Sequence, residues 1–277
     1  MHARFPKFDF TRVRAHWARD PEFAQKCNAA SLIPAYVEPY LLKVMKIAQS
    51  KIDPGKTQLL EDLDVFCKQE MQHCKHHLAF NKVLRDQGYP GLKAFEDKLR
   101  TDYEHFLKTR SLRFNLAYCE GFESMSASGC EAWFEDYNDL LDGADPVVAD
   151  LWRWHLAEEF EHRSVCSDVY HELSGLHPVS RYFYRIYGYF YALVHLGKFI
   201  GAVSAYLHER DREGMTPEEL QASIDRQKAI KKITTRRILP MMLKILSPFY
   251  DPAKRREPLG HREYLAEFEE RRQALTA

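Results

Sequence analysis

Residues 66–77 read FCKQEMQHCKHH and residues 154–170 read WHLAEEFEHRSVCSDVY, and each holds one Glu-x-x-His pair, Glu70 with His73 and Glu159 with His162. Residues three apart on an α-helix are neighbours, so a carboxylate and an imidazole at this spacing converge on one point. Such a pair can hold one metal ion from one helix, and two copies suggest two metals. In carboxylate-bridged bundles each Glu-x-x-His helix is partnered by a helix that sends a lone Glu into the interior. Glu38, within SLIPAYVEPY (31–40), precedes the first pair, and Glu123, within YCEGFESMSASG (118–129), precedes the second. The order Glu, Glu-x-x-His, Glu, Glu-x-x-His is what two helix hairpins around a dinuclear centre need.

Neighbouring residues extend these faces. His77 lies two turns beyond Glu70 and His155 one turn before Glu159, both near the motif azimuth. They are expected as additional ligands, as hydrogen-bond partners that orient ligands, or as a proton relay. His76 and Glu158 are turned roughly 100° or more away and read as solvent-side or structural. Glu120 and Glu123 are three apart and share a face, so geometry does not choose between them. Pro39 follows Glu38 and pushes it away from α geometry, which predicts a kink or a helix start there.

Composition narrows the classes. The chain has 277 residues, enough for a substantial core, and its 40 Lys and Arg balance its 40 Asp and Glu, so no global charge favours nucleic acid. The six cysteines form no C-x-x-C pair and no secretory signal precedes the chain, which predicts reduced thiols and a cytoplasmic location. Cys166 falls two turns after Glu159; a small buried apolar residue explains it better than a thiolate ligand. No Gly-x-Ser-x-Gly elbow and no P-loop is present.

Helical periodicity rich in Leu, Phe, Ala, Glu and Lys is nearly continuous, and turn clusters are few, so the fold is predicted all-α. The expected organisation is an N-terminal arm (1–30), a metal-binding four-helix bundle (31–177) and a C-terminal helical extension packed on it (178–277). Within the bundle, the turn Asp53-Pro54-Gly55 closes the first helix and a second covers about 57–87. A separate helix over 92–109 makes a long crossover of the ferritin-like kind. The third helix is expected over 111–141, and the fourth from Pro146 to about residue 174. The aromatic stretch 182–206 has the length of a membrane span, but its tyrosines and internal Lys198 suit a buried or interfacial helix, including a homodimer interface. Lys231, Lys232, Arg236 and Arg237 add a weak case for peripheral membrane association.

The segments SLIPAYVEPY, FCKQEMQHCKHH and WHLAEEFEHRSVCSDVY resemble the family of predicted metal-dependent hydrolases, whose members look ferritin-like. The similarity covers about residues 30–201. It implies metal roles for Glu38, Glu70, His73, Glu123, Glu159 and His162, with His77 and His155 matching family histidines; it selects Glu123 and leaves Glu120 as a substitute or a supporting residue. Four carboxylates with two to four imidazoles and no required thiolate suit iron, two per chain, with Mn or Zn as alternatives. The expected function is a di-iron enzyme that activates O2, drawing on an electron donor, to oxidise or oxygenate a small, partly apolar organic substrate. Two alternatives are hydrolysis by metal-activated water, and metal storage or sensing without catalysis.

Overall fold

Sequence punctuation sets the helix boundaries in the computed structural model, which describes residues 1–274. Helix α1 (Pro21–Ser31) opens where Asp20 caps the Phe23 N–H with proline in the first turn. Helix α2 (Pro34–Gln49) carries Glu38, and α3 (Thr57–Asp86) carries the first Glu-x-x-His. Helix α4 (Leu92–Thr109) crosses over to α5 (Leu112–Glu131), capped by Ser111, which carries Glu123. A π-helical segment (Ala132–Asp136) and a single turn, α6 (Asn138–Leu141), lead to α7 (Pro146–Glu161), capped by Asp145. Then follow α8 (Val165–Leu173), α9 (Pro178–Asp211), α10 (Pro217–Lys244), opened by a capping box of Thr216 and Glu219, and α11 (His261–Ala274). Among the described residues there is no strand, and the fold is all-α.

Three expected boundaries differ. The segment before residue 31 carries α1, buried over most of its surface and packed on α9. The helix predicted over 111–141 gives way after Glu131 to the π-helical segment. The fourth helix stops at Glu161 and restarts at Val165, so His162 stands at a helix end. Its N–H still donates to the Glu158 carbonyl at 3.0 Å, which keeps the α geometry between Glu159 and His162. Pro39 neither starts nor ends α2; it lies inside the helix, removing one main-chain donor, and Glu38 beside it is fully buried.

Helices α2 and α3 pack together, as do α5 and α7, and the pairs meet through α2 with α5 and α3 with α7. The core between them includes Tyr40, Met45, Phe66, Phe80, Tyr118 and Trp154, all but sealed from solvent. Helix α9 runs along α5 at very short range. A Cβ at Gly188 would lie 2.4 Å from the Ala117 carbonyl oxygen, and one at Gly121 would lie 2.7 Å from Tyr189 Cα. Only a residue without a side chain fits such an approach. Gly188→Ala should therefore cost about 1–3 kcal/mol through forced separation of the helices. Urea unfolding measures this; an unchanged midpoint would refute the close-packing argument. The opposite side of α9 exposes Phe183, Tyr187, Phe190 and Val194. By length and composition alone, α9 could cross a membrane.

Candidate metal centre

Side chains from α2, α3, α5 and α7 converge in the interior. Glu38, His73, His155 and Glu159 form one group, and Glu70, Glu123, Glu159 and His162 form a second; within each, the donor atoms lie within 4.8 Å of one another. Glu159 belongs to both. All seven residues are buried. The first Glu-x-x-His is thus divided, His73 facing one group and Glu70 the other, which differs from the expected one motif per metal. His73 Nδ1 nevertheless stays 3.3 Å from Glu70 Oε1, so the two groups are contiguous.

Among the described residues, the ion-pair partners of these four carboxylates are imidazoles alone: His73, His155 and His162. Both oxygens of Glu38, Glu70 and Glu123, with Glu159 Oε2, His73 Nδ1 and His162 Nε2, are buried and without a hydrogen bond. Burial and then neighbouring carboxylate charge raise the pKa of Glu38, Glu70 and Glu123 well above the ordinary range. Burial also acts to raise that of Glu159, but the adjoining imidazoles of His155 and His162 outweigh it and lower it well below the ordinary range. Unpaired buried carboxylates cost several kcal/mol each. A cation removes that cost.

The hydrogen bonds outside the cluster orient each imidazole and leave one ring nitrogen facing inward. Asn81 Nδ2 donates to the Ser31 carbonyl at 3.1 Å, so its Oδ1 faces Ser31 Oγ and accepts that hydroxyl's single proton at 2.7 Å. Ser31 Oγ must then accept from His77 Nδ1–H at 2.8 Å. Burial lowers the His77 pKa well below its ordinary value and keeps the ring neutral, so Nε2 is bare and accepts from His155 Nδ1–H at 2.7 Å. His155 is itself neutral, its pKa lowered to about 4 by burial. Its Nε2 lone pair therefore points at Glu159 Oε1, 3.1 Å away, and Glu38 Oε1, 3.4 Å away. A lone pair facing carboxylate oxygens is the arrangement that a cation between them satisfies.

The other two rings are set in the same way. His73 Nε2–H donates to Glu158 at 3.0 Å, leaving Nδ1 to face the cluster. Gln69 Nε2 donates to the His2 carbonyl at 3.1 Å and to Glu161 at 3.0 Å, so its Oε1 accepts from His162 Nδ1–H at 2.9 Å. His162 Nε2 lies 3.2 Å from Glu70 and 3.5 Å from Glu123; burial acts to lower the ring's pKa, but Glu123, Glu159 and Glu70 outweigh it and raise it well above the ordinary value, so Nε2 carries a proton that a cation would displace. Three imidazoles aim a ring nitrogen inward and four carboxylates offer oxygens, a donor set that fits divalent cations with no thiolate.

The chain is recognised over nearly its whole length by a family model for predicted metal-dependent hydrolases, which matches residues 2–256. The chain belongs to that family. No curated protein and no solved structure matches the chain.

The remaining sequence expectations sort by position. His155 joins a donor group, whereas His77 orients it. Glu120 turns from the cluster to Arg185, 3.4 Å away, and to Ser124; burial raises its pKa to about 7. Glu158 and His76, read as solvent-side or structural, are both buried, because the N-terminal segment covers their face: Arg4 binds Glu158 and Phe8 packs edge-on to His76. Cys166 is fully buried and lies in neither group, as a small core residue. Trp154 stacks edge-on against His73, with ring centroids 4.8 Å apart.

Sequence reasoning missed Arg4. Its guanidinium donates to Glu158 at 3.0 Å and forks onto both oxygens of Glu161 at 2.7 and 3.0 Å. It thus supports His73 through Glu158 and His162 through Glu161 and Gln69. No local pattern marks a residue so far along the chain from its partners. Gln69 and Glu158, by contrast, each immediately precede a motif Glu, a position from which the adjacent helix face is reached.

Proposed function

We propose that this protein is a dinuclear metal-dependent hydrolase acting on a small substrate with an apolar part. In this reading one cation is held by Glu38, His73, His155 and Glu159, and the other by Glu70, Glu123, Glu159 and His162. The observation that carries it is Glu159, shared by two buried donor groups into which each imidazole turns a ring nitrogen. Two divalent cations supply Lewis acidity and lower the pKa of a nearby water. The chain does the rest by position: Glu158, Gln69 and His77 hold the rings in one tautomer, and the surrounding aromatics exclude bulk water. The buried thiols do not compete as nucleophiles, since burial raises the pKa of Cys119, Cys130 and Cys166 well above the ordinary thiol range.

Iron is our first assignment, two per chain, with Mn or Zn as alternatives. We further read α2, α3, α5 and α7 as a ferritin-like bundle, because two of these helices give lone Glu residues and two give Glu-x-x-His. The same oxygen-rich donor set favours a second reading, O2-dependent oxidation fed by an electron donor. The protein is placed in the cytoplasm, with the exposed aromatic side of α9 available for a homodimer or a membrane surface.

Metal content and turnover separate the readings. Purified protein loaded anaerobically with Fe, Mn or Zn should cleave medium-chain acyl esters at a rate that scales with metal content. If loaded protein leaves esters intact and instead consumes O2 with a reductant and an apolar substrate, the oxidative reading replaces the hydrolytic one. Protein that takes up no metal ends both.

A further inference from the structure

Beside the centre lies a second feature that the metal ligands do not account for. A cavity of about 310 Å³ opens between α1, α5, α7, α9 and α10. Its walls are largely apolar, with Phe122, Trp133, Trp152, Leu196 and Ile238 among them; beside the two indoles its polar side chains are Ser126 and His155, and none is an acid, a lysine or an arginine. His155 is also a member of the first donor group. His155, whose Nε2 faces Glu38 and Glu159, thus lines both the cavity and the proposed metal site, and Phe122, also in the cavity wall, is the chain neighbour of Glu123.

We propose that this cavity is the binding site for the unbranched hydrocarbon chain of the substrate, which places the reacting polar group at the His155 end. This rests on the metal-enzyme reading for the reacting end only. A wall without a charged side chain gives no partner to an ionised or strongly polar ligand, whereas burial of methylenes there is favourable. At this volume the site lies at the small end of ligand pockets, which suits a single chain better than a fused ring system. Gly197 lines the mouth, and a Cβ added there meets no atom within 4 Å. A side chain can thus be placed in the mouth without moving the α9 backbone.

The test uses 12-bromododecanoic acid below its micellar concentration, because bromine quenches adjacent indoles and Trp133 and Trp152, stacked with centroids 5.5 Å apart, line the cavity. Saturable quenching by one equivalent, reversed by dodecan-1-ol, is expected in the full chain. Gly197→Phe should weaken binding at least about tenfold, the effect of excluding about two methylenes, with helix content and metal content unchanged. Quenching that does not saturate, or that is the same in Gly197→Phe, overturns the assignment. Glu159→Gln, measured without metal, separates the two proposals. Retained chain binding with no turnover of any ester in loaded wild-type protein leaves the cavity assignment standing and removes the hydrolytic one.

Discussion

Glu159→Gln should lose metal from both halves of the centre, whereas His162→Ala should lose it from one. The difference follows from Glu159 standing in both donor groups and His162 in only the second. Glutamine keeps the volume and one oxygen but removes the charge that balances the cations. In the wild type, metal at about 100 times its Kd adds about 2.7 kcal/mol of stability per site. That increment should vanish in Glu159→Gln and fall by about half in His162→Ala. Elemental analysis and thermal melts with and without added metal read both quantities. Full occupancy in Glu159→Gln would remove the shared carboxylate from the assignment.

Arg4→Ala should be the most damaging change outside the donor groups. The arginine side chain is nearly sealed from solvent, and Glu158 entirely so. Removing one partner of a buried ion pair leaves an uncompensated charge and costs about 3–5 kcal/mol. The loss also reaches the metals, because Glu158 would no longer be held against His73, nor Glu161 against Gln69. Partners at this remove are typically worth about 10–100-fold in metal affinity. Arg4→Lys keeps the charge but cannot fork across the two oxygens of Glu161, so it should recover stability in part and affinity less. Urea unfolding and chelator competition measure the two effects. An unchanged metal affinity in Arg4→Ala would show that the N-terminal segment covers the centre without positioning it.

Helical periodicity and turn residues made the all-α class and most helix boundaries legible, down to the crossover helix at 92–109, because those signals are local. The spacing within each motif likewise placed Glu70 beside His73 and Glu159 beside His162. Two kinds of information were not local. Which group each side chain faces depends on how helices from distant parts of the chain lean together, so the division of Glu70 and His73 between groups was not written in their spacing. The environment of Glu158 and His76 depends on residues 4 and 8 folding back over α3 and α7, and a helical wheel has no access to that. The break at His162 was hidden as well, because SVCSDVY continues the helical pattern with no glycine or proline to mark the stop before Val165.

The contact of Arg4 with Glu269 spans 265 positions of sequence. Contacts of such separation carry the largest loop-closure entropy and are made only after nearer elements have assembled. The four helices that bring the carboxylates together are complete by residue 161, while α11, which supplies Glu269, begins at residue 261. During synthesis Arg4 can thus bind Glu158 and Glu161 as soon as α7 is made, whereas its bond to Glu269 waits for a further hundred residues, so the cover over the donors forms first and is fastened afterwards.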